Sequence, residues 1–303
     1  MNLRDLTYVL AVAELGHFGR AAEACRVSQP TLSGQILKLE EELGTRIFER
    51  DGRKVRPTPS GEQIIARAQT IVATAEEIVV IGKASRDPLD GPIRLGMIPT
   101  LAPYLLPHVL PSLARALPKV RLALTEDMTA NLLDGLAAGR LDAIVIATDP
   151  NRERLVELLL FDEDFWVAAP AGHPLVARAS VIAADLDPSA LLLLADGHCL
   201  RGQALDFCGR ANVGSGTGAD VRAASLETLL HLTAANQGVT LVPRLAVDPD
   251  GMRSNLVARP LLGPGQSRRI RLFYRVNSPR AAAMEPLAAA LRRGLPDCVS
   301  VLS

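Results

Sequence analysis

The side chains best equipped for chemistry fall in one block, Asp196-Gly197-His198-Cys199-Leu200-Arg201-Gly202-Gln203-Ala204-Leu205-Asp206-Phe207-Cys208. It follows the apolar run Leu191 to Ala195, so it begins where a buried strand ends. With Asp196 as helix N-cap, Cys199 takes the N3 position inside the positive end of the dipole, which lowers a thiol pKa and enlarges the thiolate fraction. Cys208 follows nine residues on, which in an unbroken helix is about 13 Å of rise and about 180° of rotation. A disulfide needs Cα atoms within roughly 7 Å, so joining the two requires the segment to unwind. Closing a ten-residue loop stabilises by only roughly 2 to 3 kcal/mol, whereas unwinding two turns gives up several hydrogen bonds at about 1 kcal/mol each. An oxidant must drive the pairing, most simply through a sulfenic acid on Cys199 that Cys208 resolves. The competing reading is a pair of buried structural cysteines. An enzyme with Cys199 as nucleophile and His198 as base has poor geometry, since adjacent helical residues diverge by about 100°. A zinc site from His198, Cys199 and Cys208 matches none of the usual ligand spacings, and no cofactor is expected.

A second set of residues suits polar recognition. Ser28 is a good N-cap, Pro30 is tolerated in a first turn, and Leu32, Ile36, Leu39 and Leu43 repeat at helical spacing as a buried stripe. Pro30, Thr31, Gly34, Lys38 and Glu41 then point away from it, with Gln29 and Ser33 on one shoulder. The small-residue stretch Phe18 to Cys25 and the turn Arg26-Val27 precede this helix, giving a helix-turn-helix whose second helix enters a major groove N-terminus first. Asp51-Gly52 is a hairpin turn between two short arms, read as a wing; residues 46–56 hold five basic and two acidic side chains. Arg50, Arg53 and Lys54 there are candidate phosphate contacts. A protein-interaction module is the alternative.

Other elements must position these groups. Leu3, Leu6, Leu10 and Ala13 share a helical face that Gly16 stops. A helix capped at Ser60 carries Ile64, Ala68, Ile71, Ala75 and Ile78 in a heptad-like seam, suited either to dimerisation or to packing on a neighbour. Arg86-Asp87-Pro88-Leu89-Asp90-Gly91-Pro92 reads as a linker. Beyond it, strands Ile93–Ile98, Val120–Leu124 and Ala143–Ala147 alternate with helices Pro103–Ala116 and Asn131–Ala138, which implies a parallel sheet. Thr100 and Thr129 fall just past strand ends, where ligands sit in such sheets and where simple helix capping is the competing role. Gly214-Ser215-Gly216-Thr217-Gly218 lacks phosphate-binding spacing and reads as a loop.

The composition sets limits on all of this. In 303 residues, 33 basic side chains balance 33 acidic ones, which excludes a basic nucleic-acid coat, and 48% hydrophobic content is ample for two cores. Residues 1–87 are themselves balanced at twelve and twelve, so attraction to phosphate must be local, with Glu40, Glu41 and Glu42 closing the recognition helix and the basic hairpin following. No apolar run reaches membrane-helix length, and Asp5 and Glu14 interrupt any secretory-signal pattern. The expectation is a cytoplasmic protein, no membrane partner, and four cysteines kept as thiols.

Phe18, Ala21-Ala22, Ser28-Gln29-Pro30-Thr31-Leu32-Ser33, Leu39-Glu40, Leu43-Gly44 and Arg50 resemble the winged helix-turn-helix and linker helix of LysR-type transcriptional regulators. Leu136, Gly139 and Leu141-Asp142 resemble a signature of that family's regulatory domain. Gly96-Met97-Ile98-Pro99-Thr100, Tyr104-Leu105-Leu106-Pro107-His108, Asp196 to Arg201, Phe207-Cys208, Ser225-Leu226-Glu227-Thr228 and Arg268-Arg269 are similar to its peroxide-sensing members, and the likeness spans the whole chain. The resemblance implies a multidomain fold: an all-α winged helix-turn-helix at 1–58, a linker dimerisation helix and hinge at 59–87, and an α/β regulatory domain at 88–303. The last divides into two Rossmann-like, periplasmic-binding-protein-like subdomains, one at about 88–162 and 268–303, the other at about 163–267. It further implies a transcription factor rather than an enzyme, one that controls antioxidant genes. Its partners would be double-stranded operator DNA, hydrogen peroxide, further copies in a homodimer or homotetramer, and RNA polymerase. Cys199 would be peroxidatic and Cys208 resolving; Thr100, Thr129 and His198 would bind and polarise peroxide, and Arg268 would stabilise thiolate and leaving hydroxide. A regulator of the same family sensing a small metabolite through Thr100 and Thr129 is the nearest alternative.

Overall fold

The computed structural model describes residues 1–51, 54–84, 88–151, 153–208, 222–223, 225–247 and 255–302. Contacts divide the chain into an N-terminal unit reaching to about Arg86 and a larger C-terminal unit.

In the N-terminal unit, α1 (Leu3–Leu15) starts on an Asn2/Asp5 capping box and ends at Gly16 in the left-handed conformation. Its buried face is Leu6, Val9 and Val12 with Tyr8, and Leu3 is 49% exposed, so the stripe is rotated from the one expected. Then come α2 (Phe18–Ala24) and α3 (Gln29–Leu43), whose Leu32, Ile36 and Leu39 are fully buried. The Ser28 hydroxyl accepts the Thr31 N–H, a true N-cap. Strands β1 (Phe48–Asp51) and β2 (Lys54–Pro57) pair antiparallel as the wing. The long helix α4 (Pro59–Ala84) follows. Its cap is Thr58, whose Oγ1 accepts from Gly61 N at 2.9 Å, with Pro59 in the first turn; the expected cap, Ser60, lies inside the helix.

The C-terminal unit begins with β3 (Gly91–Met97), α5 (Ala102–Ala116), β4 (Val120–Glu126), α6 (Thr129–Ala137) and β5 (Ala143–Ile146). Next are β6 (Leu155–Pro170), β7 (Val181–Ile182), β8 (Leu193–Leu194), α7 (Cys199–Cys208), β9 (Arg222–Ala223) and α8 (Leu226–Ala234). It closes with β10 (Thr240–Pro243), β11 (Leu256–Leu262), β12 (Ser267–Arg275), α9 (Ala281–Arg293) and β13 (Ser300–Val301). The expected parallel sheet is found in β4-β3-β5, and β7–β11 and β8–β9 are parallel pairs as well, whereas β12 runs antiparallel to β5 and β6, as do β10, β11 and β13 to β6. The reason is that β6 and β12 carry the chain between two cores instead of returning through crossover helices.

The first core gathers residues between Ile93 and Phe161 with Ile270 to Leu291, and the second gathers Phe165 to Leu261. The strand β6 contributes to both, pairing β12 along Leu155–Asp164 and β10 and β11 along Phe165–Pro170. Among the described residues, no helix is long and apolar enough to cross a membrane.

Candidate functional site

Cys199 is the first residue of α7. Gly197 turns the chain with φ +97°, a conformation open to glycine, and the Arg201 N–H bonds His198 O, so the helix opens at His198. Asp196 does not cap it: its carboxylate is exposed and pairs with Arg201 Nε at 3.0 Å. Arg201 Nη1 also donates to Leu194 O, tying the start of α7 to the end of β8.

Two loops meet the start of α7, one bringing Thr100 to the Cys199 thiol and one bringing Met128 to Gly197. After β3 comes Thr100, 1% exposed, whose hydroxyl hydrogen-bonds Cys199 and accepts from Arg268 Nη1 at 3.0 Å. With a lone pair committed to the guanidinium, the Thr100 proton is free to point at sulfur. After β4 comes Met128, in van der Waals reach of any Cβ placed on Gly197, and then Thr129. Thr129 Oγ1 is buried and makes no hydrogen bond within the described residues. Neither threonine acts as a helix cap, because the Thr100 hydroxyl is spent on Arg268 and Cys199 and the Thr129 hydroxyl is unspent. Gly96 on β3 packs under α6: a Cβ there would stand 2.7 Å from Leu132 Cδ2 and 2.9 Å from Leu141 Cδ1, so a larger residue would force these buried side chains to move. His198 is 5% exposed beside the thiol in sequence.

Arg268 stands behind Thr100. It is buried, donates from Nη2 to Thr100 O at 3.0 Å and from Nε to Glu163 Oε2 at 2.8 Å. Glu163 lies directly across the β6–β12 ladder from it, and its Oε1 accepts Leu245 N at 2.8 Å. Arg269, the next residue, faces outward onto Asp162, and Arg271 pairs with Glu157, so of these three arginines Arg268 is the one beside Thr100.

The charge state of Cys199 departs from the sequence expectation. Burial pushes its thiol up from the ordinary value, and this outweighs the opposing pull of the Arg268 charge, the Leu200 N–H, the Thr100 hydroxyl and its own N–H. Burial thus favours the protonated thiol, against the Arg268 charge, the Thr100 hydroxyl and the backbone N–H groups, which favour the thiolate. Helix α7 runs unbroken to Cys208, so the two Cα atoms stand about 13 Å apart along its axis and no disulfide can join them in this state. The side chain of Cys208 and the loop Gly214–Gly218 lie outside the described residues.

The second candidate surface is on α3. Gln29, Pro30, Thr31, Gly34 and Lys38 are exposed and Ser33 is half-buried. Glu40 differs from the expected solvated charge: it is 4% exposed, and its Oε1 accepts the N–H groups of Ile47 at 2.8 Å and Phe48 at 3.1 Å, anchoring the wing to the helix. In the wing, Arg50 and Lys54 lie on β1 and β2, with side chains outside the described set, as is Arg53 altogether.

Sequence reasoning missed Glu163 and Glu40. A period-two signal was available for the first: Phe161, Glu163 and Phe165 alternate as buried positions of β6, with Glu163 opposite Arg268 and Phe161 opposite Ile270.

Residues 3–62 match the family model of bacterial regulatory helix-turn-helix proteins of the lysR family, and residues 86–296 match the LysR substrate binding domain. The chain is 44% identical over 292 residues to the DNA-binding transcriptional dual regulator OxyR of Escherichia coli K12, covering 96% of this chain and 95% of the relative. Among solved structures, a full-length cysteine-to-aspartate variant of OxyR from Pseudomonas aeruginosa superposes with a TM-score of 0.74 at 41% identity, covering 96% of this chain and 98% of that one. A hydrogen peroxide-bound cysteine-to-serine variant of Corynebacterium glutamicum OxyR gives a TM-score of 0.64 at 36% identity, covering 97% of this chain and 92% of that one.

Proposed function

The chain belongs to the LysR family of bacterial transcriptional regulators, and from that premise we propose that it senses hydrogen peroxide through Cys199 and reports it by re-spacing DNA-binding heads. The observation that carries this reading is a buried thiol at the N-terminus of a helix that meets the Thr100 hydroxyl and the charge of the buried Arg268. Peroxide offers two donors and two acceptors in a small volume, and Thr129 Oγ1, buried and without a hydrogen bond among the described residues, would be a partner for it.

In the first step the thiol proton leaves Cys199 and the sulfur attacks one peroxide oxygen. The S–O bond forms as the O–O bond breaks, sulfur gives up two electrons, and the departing hydroxide takes a proton to become water. Arg268 and the Thr100 hydroxyl, fixed before the reaction, lie where negative charge passes from sulfur to the leaving oxygen. His198, buried and next to Cys199 on the chain, is the further candidate to bind peroxide. In the second step Cys208 attacks the sulfenic acid, releasing a second water and leaving the Cys199–Cys208 disulfide. That step requires α7 to unwind, which links the redox state to the fold of the regulatory domain.

Gln29, Pro30, Thr31, Ser33, Gly34 and Lys38 would read base edges, with Arg50, Arg53 and Lys54 on phosphates. The exposed Ile71, Ile78 and Val79 on α4 suit a homodimer, two of which would make a tetramer on two pairs of half-sites in the cytoplasm, where RNA polymerase is the further partner.

DNA footprinting of wild type and Cys199→Ser, each with and without peroxide, tests the reading. The footprint is expected to change with peroxide in wild type alone. A change that persists in Cys199→Ser refutes the sensor, and a footprint that answers a metabolite under full reduction favours a metabolite-responsive regulator.

A further inference from the structure

Arg268 and Glu163 are a fully enclosed ion pair, each side chain with 0% exposure. One carboxylate oxygen, Oε2, takes both Nε and Nη2 of Arg268, each at 2.8 Å. The other is held by Leu245 N. The two residues are cross-strand partners, so the separation between charges is set by the β6–β12 ladder and not by flexible side chains. Arg268 is fixed on its far side as well, by Thr100 Oγ1 and Thr100 O. The guanidinium would therefore stay in place if the carboxylate lost its charge.

The other charged groups around the thiol are engaged elsewhere. Arg201 on α7 pairs with Asp196, and Asp127 in the loop before α6 accepts from Met128 N and from Asn131. His198 adjoins Cys199 on the chain. Among the described residues, what remains facing Cys199 is the Arg268 charge from β12, with Glu163 from β6 directly behind it.

We propose that Glu163 is a positioning residue that holds Arg268 and offsets part of its charge, and that it thereby sets the peroxide concentration at which Cys199 is oxidised. This deepens the peroxide-sensing reading and rests on it. An arginine without a counter-ion would draw the thiol midpoint lower and leave more thiolate at rest. An arginine oriented by a carboxylate leaves the thiol protonated at rest, in agreement with the dominance of burial at Cys199, while still meeting charge that develops during attack.

The test uses the reduced full-length chain as wild type, Glu163→Gln and Glu163→Asp. Iodoacetamide labelling of Cys199 across a pH series, read on its peptide by mass spectrometry, gives the thiol midpoint without involving peroxide or DNA. In Glu163→Gln the midpoint is expected to fall by about one pH unit, which is about tenfold more thiolate below the midpoint. The half-oxidising peroxide dose is expected to fall by a similar factor. Glu163→Asp, which draws the carboxylate back by one methylene, should shift the same way by less. An unchanged or raised midpoint, in whichever variant melts cooperatively, overturns the proposal and leaves Glu163 a structural anchor. A lowered midpoint with Cys199 inert to peroxide would uphold the charge offset and refute the sensing function instead.

Discussion

One oxygen of Thr100 joins the arginine to the cysteine, accepting from Arg268 and hydrogen-bonding the thiol. Replacing it with valine keeps the shape and removes both bonds. Thr100→Val is expected to slow peroxide oxidation of Cys199 by roughly tenfold to a hundredfold, about the worth of one or two hydrogen bonds to a charged group. Quenched-flow labelling of the remaining thiol would measure it. The pH dependence follows from the direction of the Cys199 shift. Because burial raises the thiol above its ordinary value, the labelling rate in wild type should climb with pH through and beyond the ordinary thiol range, with no plateau near neutrality. A plateau at neutral pH would mean a preformed thiolate. The cysteines were legible in the sequence because their block is chemically unusual. The raised thiol was not, because a helix-end argument gives the sign of one contribution and burial, the larger one, depends on long-range packing. Glu163 was hidden for a related reason: Asp162-Glu163-Asp164 reads as a solvated acidic run until β12 is laid beside it.

The recognition helix and wing are coupled by a buried carboxylate. Glu40 on α3 satisfies two wing N–H groups, so Glu40→Ala strands both donors away from solvent. The expected cost is about 2 to 6 kcal/mol, from roughly 1 to 3 kcal/mol for each of the two buried unsatisfied groups, and chemical denaturation of the chain would measure it. An effect below about 1 kcal/mol would mean that the wing finds other partners. Helical elements were the most readable from sequence, since spacing alone marks Leu32, Ile36 and Leu39 as the buried stripe of α3. Spacing alone points to Ser60 and Asp196 as helix starts because both can cap, whereas Thr58 caps α4 and α7 opens with the Arg201 N–H on His198 O. The strand β6 escaped notice because it is amphipathic in one half and apolar in the other, serving a different core in each.

Across the whole molecule, α4 leaves Ile71 44%, Ile78 67% and Val79 56% exposed, while Ile65 and Ala68 nearer its start are covered by the helix-turn-helix. The seam seen in the sequence thus divides into a packed half and an uncovered half. Ile71→Glu with Ile78→Glu is expected to shift the chain toward monomer in sedimentation and to weaken binding to paired half-sites far more than to a single half-site. Unchanged sedimentation would assign dimerisation to another surface. The two cores of the regulatory unit share the single strand β6, and Cys199, from the second core's helix, packs partly against the first.

The unbroken helix α7 also bears on how the sensor resets. Its hydrogen bonds are available only to the dithiol form, so they oppose the disulfide at every moment of its existence. If oxidation forfeits about 4 kcal/mol of helix, the reduction potential of the couple moves in the oxidising direction by about 90 mV, at roughly 30 mV per 1.4 kcal/mol. A couple displaced that way is reduced readily by an ordinary cellular thiol pool once peroxide has gone. The helix that makes the signal difficult to write makes it easy to erase.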